Sequence, residues 1–314
     1  MKSPLDQVRQ AARELGFLAC GVASLEPSRR GEALDAWLAA GYGGTMRYLH
    51  RQAARRKTPS RIVEGARVAV VVLEPYGAPT GSDEVPSGPR VRLARYARGE
   101  DYHRAMMRRL TRLGDVLMAC GAKIARPFVD SGPVPERELA ERAGLGWIGK
   151  NTMLIRPGAG SWFFIGTVLT DLDLPIDRPV DLDRCGTCTR CLEACPTDAF
   201  VGPRVLDATR CLSYLTIEWK GPIPQEHAAR MGGWAFGCDI CNEVCPWNER
   251  FGASESPGEY AARPDPDPED PEYFDRLDEQ EFATRFADSP LERPGLDGMR
   301  RNWRAAFTSL RGPA

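Results

Sequence analysis

The chain has 314 residues, of which 42% are hydrophobic, and a formal net charge of −1, values typical of a globular protein of about two domains. A charge this close to zero gives no global argument for nucleic-acid binding. No apolar run approaches the roughly 20 residues that a membrane span requires, and the N-terminal segment lacks the apolar region of a secretion signal. We therefore expect a cytoplasmic protein, a monomer, that does not contact a membrane.

The first 180 residues alternate between helix and strand patterns. Helices are predicted at about residues 4–15, 30–40 and 102–119, and strands at 17–23, 67–73, 122–129, 152–155 and 162–169. Residues 157–160 are expected to form a hairpin turn between the last two strands. Interleaved strands and helices predict an α/β or α+β sheet domain over residues 1–180.

The cysteine spacing is the most specific signal in the chain. Two runs of closely spaced cysteines each end before a proline, and one further cysteine lies between them: Cys185, Cys188, Cys191 and Cys195, then Cys211, then Cys238, Cys241 and Cys245. This spacing is typical of bacterial proteins with two [4Fe–4S] clusters, in which the cysteine before the proline ligates the other cluster. We therefore predict one ligand set of Cys185, Cys188, Cys191 and Cys245, and a second of Cys195, Cys211, Cys238 and Cys241.

Zinc and disulfides are the alternatives for these cysteines. Paired Cys-x2-Cys elements also form tetrahedral zinc sites, but a zinc ribbon has no use for a third cysteine three residues later. Disulfides need an oxidising compartment, and the chain shows no export signal. The two remaining cysteines, Cys20 and Cys120, lie in apolar segments and are predicted to be small buried hydrophobic residues.

The rest of the chain is predicted to follow this cysteine pattern. Residues 181–250 would form a ferredoxin-like module with two [4Fe–4S] clusters, too short to bury a large core and held largely by its clusters. Residues 251–314 would form an acidic, proline-rich loop followed by a helical C-terminal tail, with helices at 278–287 and 297–310.

Arginines are concentrated in two places. Residues 90–112 contain eight arginines and two acidic residues, a local balance of +6. Two sets of three arginines lie four residues apart, so each would share one helix face: Arg47, Arg51 and Arg55, and Arg104, Arg108 and Arg112. A solvated helix face and a phosphate-binding stripe are both compatible with this pattern.

Three segments before the cysteines are rich in glycine and functional side chains: 96–103 (YARGEDYH), 130–134 (DSGPV) and 144–152 (GLGWIGKNT). The last has a superficial G-x-G-x-x-G form, but a strand pattern follows where a helix should begin, so it does not predict a dinucleotide site. Together with the cysteine runs and 211–218 (CLSYLTIE), these segments resemble the epoxyqueuosine reductase family. The resemblance runs from about residue 5 to 250 and resumes at 300–302 (RRN).

The resemblance implies a cobalamin-dependent oxidoreductase that acts on tRNA. Its substrate would be tRNA carrying epoxyqueuosine at the wobble position, and the epoxide would be reduced to an alkene in the last step of queuosine biosynthesis. An external donor of the flavodoxin or ferredoxin type would supply electrons, which the clusters would pass to a cobalamin between the sheet domain and the cluster module. Some relatives carry helical repeats after this core, and without them we expect weaker or reshaped tRNA binding.

The resemblance also implies roles for individual residues. Asp130 matches the family's proton donor, and it closes an apolar strand where burial is expected to raise its pKa; the alternative is an aspartate that only caps a turn. The expected contacts with cobalamin or the modified base are Arg56, Tyr96, His103, Lys150, Asn151, Thr152 and Ser213. Both arginine sets are then expected to contact the tRNA backbone, which positions the RNA without specifying its sequence.

Two other functions are compatible with parts of the pattern. A corrinoid reductive dehalogenase shares the cofactors, but those enzymes are usually exported, and a basic stripe would be unusual for a small organohalide. A ferredoxin-like electron carrier with a docking domain would bind no corrin and would leave the DSGPV and GWIGKNT segments as ordinary turns. Retention of cobalamin by the purified protein would separate the carrier from both enzymes.

Overall fold

The centre of the structure is an antiparallel sheet. The computed structural model describes residues 2–77, 90–180, 183–252, 257–264 and 266–311. In these ranges the strands are β1 (Ala19–Ser24), β2 (Val68–Pro75), β3 (Arg92–Leu93), β4 (Ala125–Phe128), β5 (Trp147–Ile148), β6 (Leu154–Ile155), β7 (Phe163–Thr170), β8 (Phe200–Gly202), β9 (Val205–Leu206) and β10 (Trp234–Phe236). Four of these form the main sheet in the order β1-β2-β7-β4, and each neighbouring pair is antiparallel.

The helices in the same ranges are α1 (Pro4–Glu14), α2 (Gly31–Ala39), α3 (Arg47–Lys57), α4 (Tyr102–Ala119), α5 (Glu136–Arg142), α6 (Arg190–Glu193), α7 (Leu212–Ile217), α8 (Gln225–Ala228), α9 (Ile240–Glu243), α10 (Pro246–Phe251), α11 (Glu279–Phe286) and α12 (Gly295–Leu310). Short 3₁₀ turns lie between several of them. In this part of the chain, no helix is both long enough and apolar enough to span a bilayer.

Local sequence explains where the main helices begin. The Ser3 hydroxyl accepts a 3.2 Å hydrogen bond from the backbone N–H of Asp6, and Pro4 occupies the first turn of α1. The Asp101 carboxylate accepts from the backbone N–H of His103 and so caps α4. A capping box between Asp278 and Glu281 opens α11.

Side chains of β2 alternate between two cores, as the two-residue period of a strand requires. Val70 and Val72 belong to the core that packs against α1 and α4. Ala69 and Val71 belong to the core on the opposite face, which packs against α5. All eight residues of β2 are buried, so helices cover both faces of the sheet, and the predicted mixed α/β (α+β) fold class is confirmed.

A third core joins the cysteine region to the C-terminal helices. Its largest fully buried side chains include Trp234, Phe236, Phe274 and Trp303. Helix α12 packs against β10, and β10 pairs with the short strand β3. The predicted tail therefore packs back onto the structure, while the domain boundaries at residues 180 and 250 stay a prediction.

The predicted hairpin around residues 157–160 is wrong. Arg156 and Gly160 do close a tight turn, but the strands on either side pair elsewhere: β6 pairs with β5, and β7 pairs with β2 and β4. Strand β5 lies inside the GLGWIG segment, and the next element is strand β6. A strand and not a helix therefore follows these glycines. A Cβ at Gly146 would lie 2.3 Å from the Ile155 carbonyl oxygen, so close approach of β6 requires glycine there.

Candidate active site and cluster centres

The structure brings four of the predicted ligands around one cavity. Its volume is about 200 Å³, and its lining includes the thiols of Cys185, Cys188, Cys191 and Cys245. In the described part of the chain, no three His, Cys, Asp or Glu side chains converge as ligands of a single metal ion. A set of four thiols around a space of this size fits a cubane cluster, whose irons occupy separate corners.

The other four cysteines are all partly buried. Burial raises the pKa of Cys238 and Cys241, and the neighbouring Cys211 thiol raises both further. Burial also raises the pKa of Cys211, with a smaller contribution from Cys195. Cys211 and Cys238 both pack against the third core. Helix α6, which contains Cys191, packs against α9, which contains Cys241, so the two groups are adjacent.

Lys150 and Asn151 hold the loops that carry the cysteines. The Lys150 ammonium donates to the carbonyl oxygens of Gly186 at 2.7 Å and Cys188 at 2.9 Å. The Asn151 amide donates to the Cys241 carbonyl oxygen at 3.1 Å. The contact of both residues with cobalamin stays a prediction, and in the structure their hydrogen bonds run to the two cysteine loops.

Ser213 lies in the first turn of α7 and is half-buried. Burial raises the pKa of the Cys211 thiol, and the backbone N–H and hydroxyl of Ser213 counteract this increase. Thr152 adopts a left-handed backbone conformation with φ of 69°. Its carbonyl oxygen accepts a hydrogen bond from Arg137 at 3.2 Å.

Asp130 follows β4 in the left-handed backbone region, with φ of 47°. The Tyr102 hydroxyl donates to Oδ2 of Asp130 at 2.8 Å. The backbone N–H of Asp130 donates to Oε1 of Glu136, also at 2.8 Å. A non-glycine residue in this region costs on the order of 1 kcal/mol and needs surrounding contacts to hold it. The expected burial of Asp130 is wrong, because its side chain is exposed where the strand ends at the surface.

Glu136 is the half-buried carboxylate next to Asp130, and the sequence did not single it out. Burial raises the pKa of Glu136, and the negative charge of Asp130 raises it further. Glu136 is one of two acidic residues in the first turn of α5. Glutamate is common in the first turn of a helix, so the sequence gives no signal for a special role of Glu136. Only the tertiary contact between α5 and the Asp130 loop identifies this residue.

Arg56 holds the other side of the Asp130 loop. Its guanidinium donates to the carbonyl oxygens of Gly132 at 3.1 Å and Val134 at 3.5 Å. Its Nε is buried without a hydrogen-bond partner among the described residues. The structure shows that Arg56 contacts the loop that carries Asp130. Its Nε remains available as a donor to a ligand, and the predicted contact with cobalamin stays a prediction.

Aromatic side chains surround Tyr102. Its ring stacks on Phe164 with centroids 4.2 Å apart and on His103 at 4.1 Å. Tyr96 contacts the same ring edge-on at 6.2 Å. Nδ1 of His103 lies 2.7 Å from a carboxylate oxygen of Asp101. The structure therefore brings the predicted Tyr96 and His103 together around Tyr102, whose hydroxyl binds Asp130.

Comparisons with known proteins agree with this arrangement. Residues 56–131 match the family model described as epoxyqueuosine reductase QueG, DUF1730, and residues 184–248 match the 4Fe-4S double cluster binding domain. An epoxyqueuosine reductase from Xanthomonas campestris pv. campestris is 43% identical over 300 residues, which cover 94% of this chain and 84% of that protein. The chain belongs to the epoxyqueuosine reductase family.

Other members of the epoxyqueuosine reductase family are similar over nearly the whole chain. The Pseudomonas aeruginosa protein is 42% identical over 96% of this chain and 85% of its own length. A crystal structure of epoxyqueuosine reductase with an epoxyqueuosine-modified tRNA-Tyr stem loop has a TM-score of 0.89 at 28% identity, covering 98% of this chain and 81% of that one. A Bacillus subtilis structure, described with its aspartate catalytic loop swung out of the active site, has a TM-score of 0.86 at 28% identity, covering 98% and 82%.

The two arginine-rich regions differ in how far carboxylates neutralise their charge. Arg47, Arg51 and Arg55 are exposed on α3, and none has an acidic partner among the described residues. Helix α3 itself contains no acidic residue. Much of the 90–112 segment is neutralised by carboxylates instead: Arg92 pairs with Glu243, Arg108 with Glu100, and Arg109 with Glu74 and Glu259. The net positive surface near the Asp130 loop therefore lies on α3.

Proposed function

We propose that this chain reduces epoxyqueuosine to queuosine at the wobble position of tRNA, with a cobalamin and two [4Fe–4S] clusters. The proposal rests on one observation above all: the eight thiols and the Asp130 loop belong to one fold that is more than 40% identical to epoxyqueuosine reductases over almost the whole chain. The net reaction adds two electrons and two protons to the epoxide and releases an alkene and water.

The eight thiols are the cluster ligands in this proposal. Cys185, Cys188, Cys191 and Cys245 would hold one cluster, and the group of Cys195, Cys211, Cys238 and Cys241 would hold the other. The loop that carries Cys185, Cys188 and Cys191 is largely exposed, while Cys211 and Cys238 of the second set pack against the third core. Electrons from an external donor of the flavodoxin or ferredoxin type would therefore enter through the first set and leave through the second.

Cobalamin, when bound, would supply the low-potential cobalt that reduces the substrate carbon. The unpartnered Nε of Arg56 is a buried donor that such a polar macrocycle could satisfy. Ser213 lies two residues after Cys211, and Tyr96 and His103 contact the ring of Tyr102, whose hydroxyl binds Asp130, so these residues would line the same cleft. Lys150, Asn151 and Thr152 would act by fixing the loops around the cleft.

Asp130 is the proton donor in this reaction. Oxygen leaving an opened epoxide is strongly basic, so an acid placed beside it lowers the barrier by roughly 10²- to 10⁴-fold. The Tyr102 hydroxyl fixes the orientation of the Asp130 carboxyl. The aspartate catalytic loop described for the Bacillus subtilis relative supports this role.

The exposed arginines of α3 would contact the tRNA backbone. They carry three charges without acidic partners in the described residues, and the same helix reaches the Asp130 loop through Arg56. Phosphates bound along this face would place the anticodon loop over the active site, because backbone contacts set the register of a nucleic acid.

Anaerobic turnover tests the proposal directly. Protein with reconstituted clusters, cobalamin and a strong chemical reductant would be mixed with tRNA that carries epoxyqueuosine, and the digested nucleosides would be weighed by mass spectrometry. We expect the loss of one oxygen mass, and no loss when cobalamin is omitted. An unchanged nucleoside, despite full iron content and bound cobalamin, would refute the proposal.

A further inference from the structure

A surface loop carries most of the first thiol set. The loop with Cys185, Cys188 and Cys191 is largely exposed, whereas Cys211 and Cys238 of the second set pack against the third core. A [4Fe–4S] cluster gains one negative charge when it is reduced, and water stabilises that charge. Solvent exposure is therefore one of the factors that set the reduction potential of a cluster, and the first cluster keeps a low potential only behind a local barrier to water.

Trp247 is the large apolar side chain on the outer side of the first cavity. It lines the space of about 200 Å³ next to the four thiols, together with Ile155, Pro246 and three polar residues. Ile155 is 2% exposed, so it closes the cavity toward the protein interior. Trp247 is only half-buried, so its indole stands between the cavity and solvent.

Aromatic packing holds the Trp247 ring in this position. The ring contacts Trp147 edge-on, with centroids 4.9 Å apart, and stacks on Phe251 at 5.6 Å. Trp147 is 2% exposed and forms a small core with Ile155 and Cys245, against which Trp247 packs. The indole is therefore supported from the interior by the same residues that contact a cluster ligand.

The helix that carries Trp247 is anchored as well. Trp247 lies in the first turn of α10, two residues after Cys245. Asn248 of the same turn is 5% exposed. It accepts a hydrogen bond from the Ser161 backbone N–H at 2.6 Å and donates to the Asn242 carbonyl oxygen at 2.8 Å. Buried hydrogen bonds of this kind fix the position of the indole relative to the cavity.

We propose that Trp247 shields the first cluster from water and so keeps its reduction potential low. This inference rests on the proposed function, because that function assigns the first thiol set as cluster ligands. The external donor gives one electron to the first cluster, which is reduced, and the first cluster is oxidised again when it passes that electron to the second. A low potential at the first cluster favours this second transfer.

An anaerobic redox titration of protein with both clusters reconstituted tests the shield. Visible absorption and electron paramagnetic resonance follow each cluster. Trp247→Ala opens the cavity to water, so the ratio of reduced to oxidised first cluster at a fixed potential should rise at least about tenfold, an upward shift of about 59 mV for a one-electron couple. The second cluster should titrate as in the wild type. Trp247→Phe, which keeps an aromatic ring in place, should leave both clusters unshifted.

Exposure to air gives an independent readout. The first cluster of Trp247→Ala should bleach faster than that of the wild type, and that of Trp247→Phe should bleach at the wild-type rate. Trp247→Leu keeps a smaller apolar side chain and should give an intermediate shift, so it carries the test if Trp247→Ala does not retain both clusters. Titrations of Trp247→Ala and Trp247→Leu that superimpose on the wild type, or that shift both clusters equally, would overturn the inference.

Iron content separates this inference from the proposed function. The titration needs neither cobalamin nor tRNA, so it does not depend on whether the chain reduces epoxyqueuosine. Wild-type protein that binds less iron than two [4Fe–4S] clusters contain would refute the cluster assignment itself. Full iron content with an unshifted first cluster in Trp247→Ala refutes only the role of Trp247.

Discussion

The Tyr102 hydroxyl donates a 2.8 Å hydrogen bond to Oδ2 of Asp130, across 28 residues of sequence. Tyr102 is the first residue of α4, and its ring is fixed by parallel stacking on Phe164 of β7. The sheet therefore orients Asp130 through a rigid aromatic side chain. This hydrogen bond fixes the position of the Asp130 carboxyl group just beyond the end of the edge strand β4.

Removal of this hydroxyl should slow the reaction without unfolding the protein. In Tyr102→Phe the stack on Phe164 remains, and a hydrogen bond worth about 0.5–1.5 kcal/mol is lost, so we expect a single-turnover rate lower by up to about tenfold. Tyr76→Phe is the matched control, because Tyr76 also contacts Phe164. Equal rates for both variants would show that the hydroxyl of Tyr102 has no part in catalysis.

Asp130→Asn should keep both clusters and cobalamin but lose activity. The amide has nearly the shape of the carboxyl group but cannot donate an acidic proton, so turnover should fall by about 10²- to 10⁴-fold. Single-turnover kinetics with mass spectrometry measures the loss, and the visible absorption of the clusters and cobalamin serves as the control. A rate close to that of the wild type would show that Asp130 only caps a turn and does not donate the proton.

Cys211→Ala should remove one cluster. Because each cluster needs four thiolates, the iron content should fall by about half, and activity should be lost with it. Cys20→Ala is the control: Cys20 lies in strand β1, outside both thiol groups, and burial raises its pKa to about 12. Full iron content in Cys211→Ala would contradict the proposed ligand sets.

Removal of the α3 charges should weaken tRNA binding. The triple variant Arg47→Gln, Arg51→Gln and Arg55→Gln should bind tRNA less tightly, and the dependence of log affinity on log salt should become shallower by about 2. The matched control replaces Arg104, Arg108 and Arg112 of α4, where Arg108 pairs with Glu100. A larger loss in the α4 variant would place the tRNA on that helix.

Asn302 should contribute to stability through the C-terminal helix. Its side chain is 0% exposed, and its amide donates to the Thr216 carbonyl oxygen at 2.7 Å. Asn302→Ala leaves that buried carbonyl without a partner, at a cost of about 1–3 kcal/mol. Thermal unfolding measures the loss. Thr308→Ala, at an exposed position of the same helix, should change stability little.

Some features of this protein are properties of short segments, so the sequence alone predicts them. The spacing of cysteines before Pro196 and Pro246 is set by how a short loop wraps a cluster. The apolar run of β2 identifies a buried central strand, because each residue fills one of two cores. The helix at 102–119 was predicted with the bounds that α4 has in the structure.

Other features depend on which segments meet in space. Strand pairing at 157–160 was predicted incorrectly, because sequence proximity does not decide which partner a strand finds in a sheet. The neutralisation of Arg92 and Arg109 could not be predicted either, since their acidic partners lie far away in the chain.

The sequence by itself determined the chemistry that this protein can perform: eight thiols in a cluster spacing and an aspartate after an apolar strand. Only the tertiary structure decided the environment of that aspartate. Asp130 is exposed, Tyr102 orients its carboxyl group, and Glu136 holds its backbone. The physical reason is that a local pattern selects residue types, whereas burial and charge at a site arise from elements that are distant in sequence and brought together by packing.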